Sequence, residues 1–313
     1  MFTQINIVLG ETQKTKEIGY QNNNGIVWIS SEKDSSMQNV ITEDNTDNPN
    51  PQDSIWMLEP ITVRANDYKI SHLIKYKKIF GCFSRAFENT IASKKFVTVN
   101  YGSDFCWNVY NSSFKIDNAD IIKSQWTPWE ERKNGVVIFA GWKNSHHYSS
   151  IYHLREEIAD TFIQNGFEVS WYGNVPQHKK SYFKPYVLDK LSEINKYKFH
   201  VCTENTYDPI YSYNYLTEKL PQGICGGAVP IYIGCYNIDQ IAPKNSFFDL
   251  REFISSDKYL NKNKFIEKIK TYSKSDFEIY QNTSYNWLKD PKGLTYHMSI
   301  KRIYQKMLEI LSE

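Results

Sequence analysis

Three short runs in the second half of this chain are apolar almost without a break: Val136-Val137-Ile138-Phe139, Phe199-His200-Val201-Cys202 and Val229-Pro230-Ile231-Tyr232-Ile233. Each is too short for a core helix and lacks the alternation of a strand with one wet face. Strands buried on both faces read this way, and such strands belong to parallel sheets covered by helices on both sides. Similar runs recur at residues 5–9, 26–29, 55–58, 96–99 and 168–172.

Helix-period stretches lie between the later runs. Residues 152–163 place Leu154, Ile158, Phe162 and Ile163 on one stripe, and residues 187–197 do the same with Leu188, Leu191 and Ile194. The last 50 or so residues are helical in pattern, with Phe265, Ile266 and Ile269, then Ile300, Ile303, Tyr304, Met307, Leu308 and Leu311. Strand–helix alternation from Val136 onward predicts a doubly wound α/β domain. The earlier part is more irregular, and residues 30–54, polar with two prolines, read as a mobile loop. A Trp-Thr-Pro-Trp followed by charged residues marks a boundary within 127–134. This gives a first lobe at 1–130 and a second at 131–313, the last helix being expected to pack back on the first lobe.

At 313 residues, 41% apolar and 15% aromatic, the chain can bury two cores. Its net charge of +2 and lack of a long Lys/Arg block give no electrostatic footprint for nucleic acid. Cys82, Cys106, Cys202, Cys225 and Cys235 are an odd number without CxxC spacing, which argues against a zinc site or a disulfide framework. No apolar run approaches the roughly 18 residues of a membrane span, and Met1-Phe2-Thr3-Gln4-Ile5 does not open a signal peptide. The expected setting is the cytoplasm, with the inner membrane surface as an alternative.

The chemistry concentrates in residues 199–234. The strand expected at 199–202 ends in Thr203-Glu204-Asn205-Thr206, and ligands of open parallel sheets bind where strands end. After a Tyr-rich loop, Tyr215-Leu216-Thr217-Glu218-Lys219 opens a helix with Thr217 as the expected N-cap. Free N–H groups there, with the Lys219 charge, suit a pyrophosphate. Glu218 is placed to accept from ribose hydroxyls. Spacing alone favours the plainer reading, a capped helix start carrying a solvated charge pair.

Asn205, Tyr215-Leu216-Thr217-Glu218-Lys219, Ala228-Val229-Pro230-Ile231-Tyr232-Ile233-Gly234 and Pro243-Lys244-Asn245-Ser246-Phe247 occur in that order. Together they resemble the donor-site signature of the family 10 glycosyltransferases, the α-1,3/1,4-fucosyltransferases. Arg155, followed by the run ending Tyr172-Gly173, and Trp56-Met57-Leu58-Glu59-Pro60 extend the resemblance. It implies two Rossmann-like lobes facing a cleft (GT-B type), a GDP-fucose donor, a glycan acceptor and inversion. By residue-wise transfer, Arg155 and Lys219 would neutralise the diphosphate, and Glu218 would hold the ribose. Asn205, Tyr215 and Thr217 would line the donor site, and Glu59 would be the catalytic base. Arg155 also reads as an exposed ion-paired helix residue, Tyr215 as core, and Glu59 as a turn brace.

No two aspartates here are separated by a single residue, so the Asp-x-Asp pair common in metal-dependent transferases is missing. An Arg/Lys clamp without metal or other cofactor is the expected alternative. Histidines 146, 147 and 153 lack carboxylate or cysteine partners at ligand spacing, and read as surface residues. Two other readings stay open: the same fold using another GDP- or UDP-sugar, and a non-catalytic protein that binds a glycan or nucleotide sugar. Acceptor identity and oligomeric state are not written in the sequence.

Overall fold

The computed structural model describes residues 2–9, 16–42, 50–101, 116–176 and 179–313. Cys106 and the middle of the polar tract at 30–54 lie outside them. The chain divides into two compact units. The first comprises Met1–Phe105, Asp208–Tyr215 and Met298–Glu313, and the second comprises Cys106–Tyr207 and Leu216–His297.

The first unit is built on strands β1 (Thr3–Val8), β2 (Glu17–Asn22), β3 (Gly25–Ser30), β4 (Gln38–Thr42), β5 (Ser54–Met57), β6 (Ile79–Gly81) and β7 (Phe96–Thr98). Their order is β2-β3-β1-β4-β5-β6-β7, parallel throughout except for the β2–β3 hairpin. Side chains leave a strand alternately up and down, and here both directions meet apolar cover. Ile5, Ile7, Val27, Val40 and Trp56 pack with Ile303, Tyr304, Met307, Leu308 and Leu311 of the C-terminal helix, Ile300–Leu311. Ile41, Ile55 and Met57 point the other way, into a cluster with Tyr68, Tyr76, Phe83 and Phe87, beside the short helix α1 (Ile70–Leu73). Cover on both faces is why β3 and β5 carry no polar alternation, while β1 keeps Asn6 among its apolar residues and the edge strand β2 stays largely exposed.

The polar tract at 30–54 is not simply a loop, because β4 lies within it and pairs with β1 and β5. Its polar start is tolerated through a buried network. Asn6 Nδ2 donates to Asn39 Oδ1 at 3.0 Å, and the Ser30 hydroxyl donates to Asn6 Oδ1 at 2.8 Å. Buried amides that are mutually satisfied cost little, so the hydrophobic signature of a strand was absent here.

The second unit carries α2 (Ala119–Ser124), β8 (Lys133–Phe139), α3 (His153–Gln164), β9 (Glu168–Tyr172), α4 (Lys190–Ile194), β10 (Tyr197–Thr203), α5 (Lys219–Cys225), β11 (Val229–Ile233), β12 (Phe248–Asp249), α6 (Lys262–Thr271) and α7 (Lys274–Lys289). The sheet is parallel in the order β12-β11-β10-β8-β9. One face packs Val136, Ile138, Phe199, Val201, Val229 and Ile231 against Leu154, Ile158 and Phe162 of α3 and against α6 and α7. On the other face, α5 approaches His200 and Cys202 closely at Gly223. Helices on both faces make this a doubly wound fold, with the order reversing between β8 and β10.

Two helical expectations needed trimming. The stretch 187–197 yields only α4, begun by Asp189, whose carboxylate accepts from Ser192 N–H at 3.0 Å. Leu188 stays exposed, and so does Ile163 at the end of α3. Among the described residues, no helix is long and apolar enough to cross a membrane.

Candidate functional site

The chain reverses direction across the second sheet between β8 and β10, and a crevice opens at the carboxyl ends of strands at such a point. At that end β10 runs out at Thr203, followed by Glu204 and Asn205. Arg155 sits in the first turn of α3 and is buried, 3% exposed. Its Nε donates to the Thr203 hydroxyl at 3.0 Å, and its Nη2 donates to the carbonyls of Thr203 (3.0 Å) and Glu204 (3.2 Å) and to Asn205 Oδ1 (2.9 Å). The guanidinium therefore fixes the strand end. It also turns the Asn205 amide so that its NH2 group points away from Arg155. The reading of Arg155 as an exposed helix residue is excluded by its burial.

Thr217, Glu218 and Lys219 gather at the same strand end. The Thr217 N–H donates to Glu204 Oε1 at 2.9 Å, and its hydroxyl lies 2.8 and 2.7 Å from the two carboxylate oxygens. Lys219 Nζ donates to the Thr217 hydroxyl at 2.9 Å and to Glu204 Oε2 at 3.1 Å, and stands 3.5 Å from Glu218 Oε1. Thr217 is not the N-cap of α5: Glu218 precedes the helix in helical geometry, and no side chain caps it. The Thr217 hydroxyl is taken by a stronger, charged acceptor.

The electrostatics follow from this packing. Burial raises the Glu204 carboxyl above its usual range, opposed by the Lys219 charge and the Thr217 hydrogen bonds. Burial also pushes Glu218 upward, but Lys219, Lys190 and backbone hydrogen bonding more than offset that and hold it near about 2. For Lys219, burial favours the neutral amine, yet Glu204 and Glu218 overcome it and raise its pKa against the nearby Arg155 charge. Behind the cluster, the Cys202 thiol donates to the Lys219 carbonyl at 3.1 Å and lies 3.0 Å from His200 Nδ1. Burial, helped by Lys190 and Lys219, holds His200 near about 3, so it is neutral.

Arg155, Asn205, Thr217, Glu218 and Lys219 are thus brought together. Glu59 and Tyr215 belong to the first unit. Glu59 follows β5 at the carboxyl edge of that sheet, half-buried, its carbonyl accepting from the Tyr68 hydroxyl at 3.3 Å. The Tyr215 ring is a core element, 1% exposed, packed on Phe83 and Tyr101 at 5.2 and 5.9 Å between centroids. Sequence reasoning placed Glu204 in the polar strand end without giving it a role, and passed over Lys190. For Glu204 the cue was a carboxylate directly before Asn205 at a strand end. For Lys190 no cue existed, since α4 reaches Glu218 only through the fold.

Residues 130–300, more than half of the chain, match the family described as Glycosyltransferase family 10 (fucosyltransferase), C-terminal part. A fucosyltransferase-like protein of Arabidopsis thaliana is 26% identical over 95 residues, 30% of this chain and 17% of that protein. An alpha-(1,3)-fucosyltransferase of Helicobacter pylori is 25% identical over 117 residues, 37% of this chain and 23% of that protein. The matched part is therefore under a quarter of either relative's length. A crystal structure of an alpha1,3-fucosyltransferase superposes with a TM-score of 0.58 at 14% identity, covering 99% of this chain and 90% of that one. A second, with GDP-fucose, gives 0.54 and covers 100% and 91%. This likeness fixes the fold as two Rossmann-like lobes of the GT-B type.

Proposed function

The chain belongs to glycosyltransferase family 10, and from that premise we propose that it transfers fucose from GDP-fucose to a hydroxyl of a glycan acceptor, with inversion and without a metal ion. The observation that carries this reading is the pairing of Arg155 with Lys219 at the switch point of the second sheet. Glycosyl transfer passes through an oxocarbenium-like state while negative charge grows on the departing diphosphate. Cations already fixed in a partly dry site stabilise that charge without reorganising.

Glu218, whose carboxyl Lys219 and Lys190 hold well below the usual range, is a ready acceptor for ribose hydroxyls. The Asn205 amide offers donors at the strand end, and Thr217 serves the site by orienting Lys219. Of the donor contacts implied by resemblance, Tyr215 has the least support, because its ring packs in the first unit's core. Glu59 is the base that takes the acceptor proton, the one proton transfer a direct displacement requires. The choice of GDP-fucose is supported by the names of the matched relatives and the GDP-fucose complex of a neighbour of like fold.

A donor screen tests the proposal. Release of free nucleotide from GDP-fucose, GDP-mannose, UDP-glucose and UDP-N-acetylglucosamine is measured in EDTA without acceptor. Slow GDP release from GDP-fucose above the rest is expected. Preference for a UDP-sugar would replace the donor, and binding without release from any of them would leave a non-catalytic protein.

A further inference from the structure

Glu204 stands outside the expected donor-binding set, yet both cations of the proposed clamp reach it. Arg155 Nη2 donates to its backbone carbonyl at 3.2 Å, and Lys219 Nζ donates to its carboxylate at 3.1 Å. The Thr217 N–H and hydroxyl occupy the same carboxylate at 2.7–2.9 Å. The side chain is fully buried, 0% exposed. A carboxylate in that position must be paired and hydrogen-bonded, and Thr217 and Lys219 supply the donors. The neighbouring strand end makes room for it: a Cβ on Gly234 would stand 2.1 Å from Glu204 Cγ. Glu204 therefore lies against bare backbone, where no other residue than glycine fits.

We propose that Glu204 is a positioning residue, holding the Lys219 ammonium directly and through the Thr217 hydroxyl where the donor diphosphate is received, while its carbonyl fixes Arg155. This rests on the donor reading above. Lysine is a point charge on a flexible stem, and ordering that stem costs rotamer entropy. Holding it before the anion arrives removes much of that cost from binding. Two of its three N–H bonds are directed to Glu204 and Thr217, and the third only loosely to Glu218 at 3.5 Å. That third N–H is the one a phosphate oxygen takes.

Glu204→Gln separates positioning from bracing. The amide oxygen can still accept from Thr217, but its NH2 group then faces an ammonium, and two donors cannot pair. GDP affinity by calorimetry is expected to fall roughly tenfold, the scale of one charge-assisted hydrogen bond. In a Lys219→Met background the same change should cost less than about twofold, because the residue it positions is gone. In an Arg155→Lys background the full loss should persist, since Glu204→Gln leaves the carbonyl in place. Unchanged affinity in Glu204→Gln, or losses that add in the Lys219→Met background, would overturn the proposal while leaving the donor reading intact. Failure of the native protein to bind GDP would strike the donor reading, and this proposal with it. If Glu204→Gln does not fold, Thr217→Val, which keeps the N–H and removes the hydroxyl relay, is put through the same cycle with the same criteria.

Discussion

At the scale of single residues, the adjacent Glu218 and Lys219 divide one task by environment. Lys219 is held charged by two carboxylates, and Glu218 is held charged by Lys219 and Lys190. The Glu218 carboxyl has a folded pKa near about 2 against an ordinary 4.5, so folding favours its ionised form. Such a group contributes stability above the ordinary carboxylate range and loses it as pH falls from 4.5 toward 2. Glu218→Gln should therefore cost on the order of 2 kcal/mol at pH 7 and close to nothing near pH 2, discounting the full shift for partial exposure. Urea unfolding of both proteins across that range checks the sign. An equal gap at pH 7 and pH 2.5 would mean that shape, not charge, sets the difference.

At the scale of elements, the C-terminal helix holds one face of the first unit's sheet. Its buried residues recur at helical spacing from Ile303 to Leu311, and Met307 is fully buried among Ile5, Val27, Val40 and Trp56. Met307→Ala should destabilise by about 2–4 kcal/mol through lost burial and the cavity left behind. Thermal or urea unfolding reads this directly, and a loss under 0.5 kcal/mol would mean that the helix is dispensable to that core. This helix was legible because its amphipathic period is long. Strands β3, β5, β8, β10 and β11 were legible because cover on both faces removed polar alternation, whereas β1 and β9 keep a polar residue among their apolar ones (Asn6, Ser170) and were legible from the apolar residues alone. Strand β4 was not, since Asn39 is buried through hydrogen bonds rather than apolar character, and β6 and β12 are too short to show a period. In the site, Arg155, Asn205 and Thr217-Glu218-Lys219 were legible as a motif. The carboxylate that joins them, Glu204, was legible only as part of a polar strand end, and the partnership of Lys190 with Glu218 exists only once α4 is folded.

At the scale of the whole molecule, the proposal asks each unit for one kind of chemistry. The second unit supplies fixed charge for the diphosphate, and the first supplies Glu59 at the carboxyl edge of its sheet for the acceptor proton. Glu59→Gln keeps the shape of the side chain and removes its basicity. It should spare folding and GDP affinity while slowing transfer by about a hundredfold or more, within the usual range for general base catalysis. Near-native transfer would return Glu59 to a turn brace. In the proposed reaction, side-chain cations rather than a metal ion receive the diphosphate. This is tested most directly by GDP titration calorimetry on the native protein and Lys219→Ala, each with EDTA and then with manganese. One native affinity is expected in both buffers, and a loss of tenfold to a hundredfold in Lys219→Ala that manganese does not restore. Binding that vanishes in EDTA and returns with manganese, or that ignores Lys219→Ala, would contradict it.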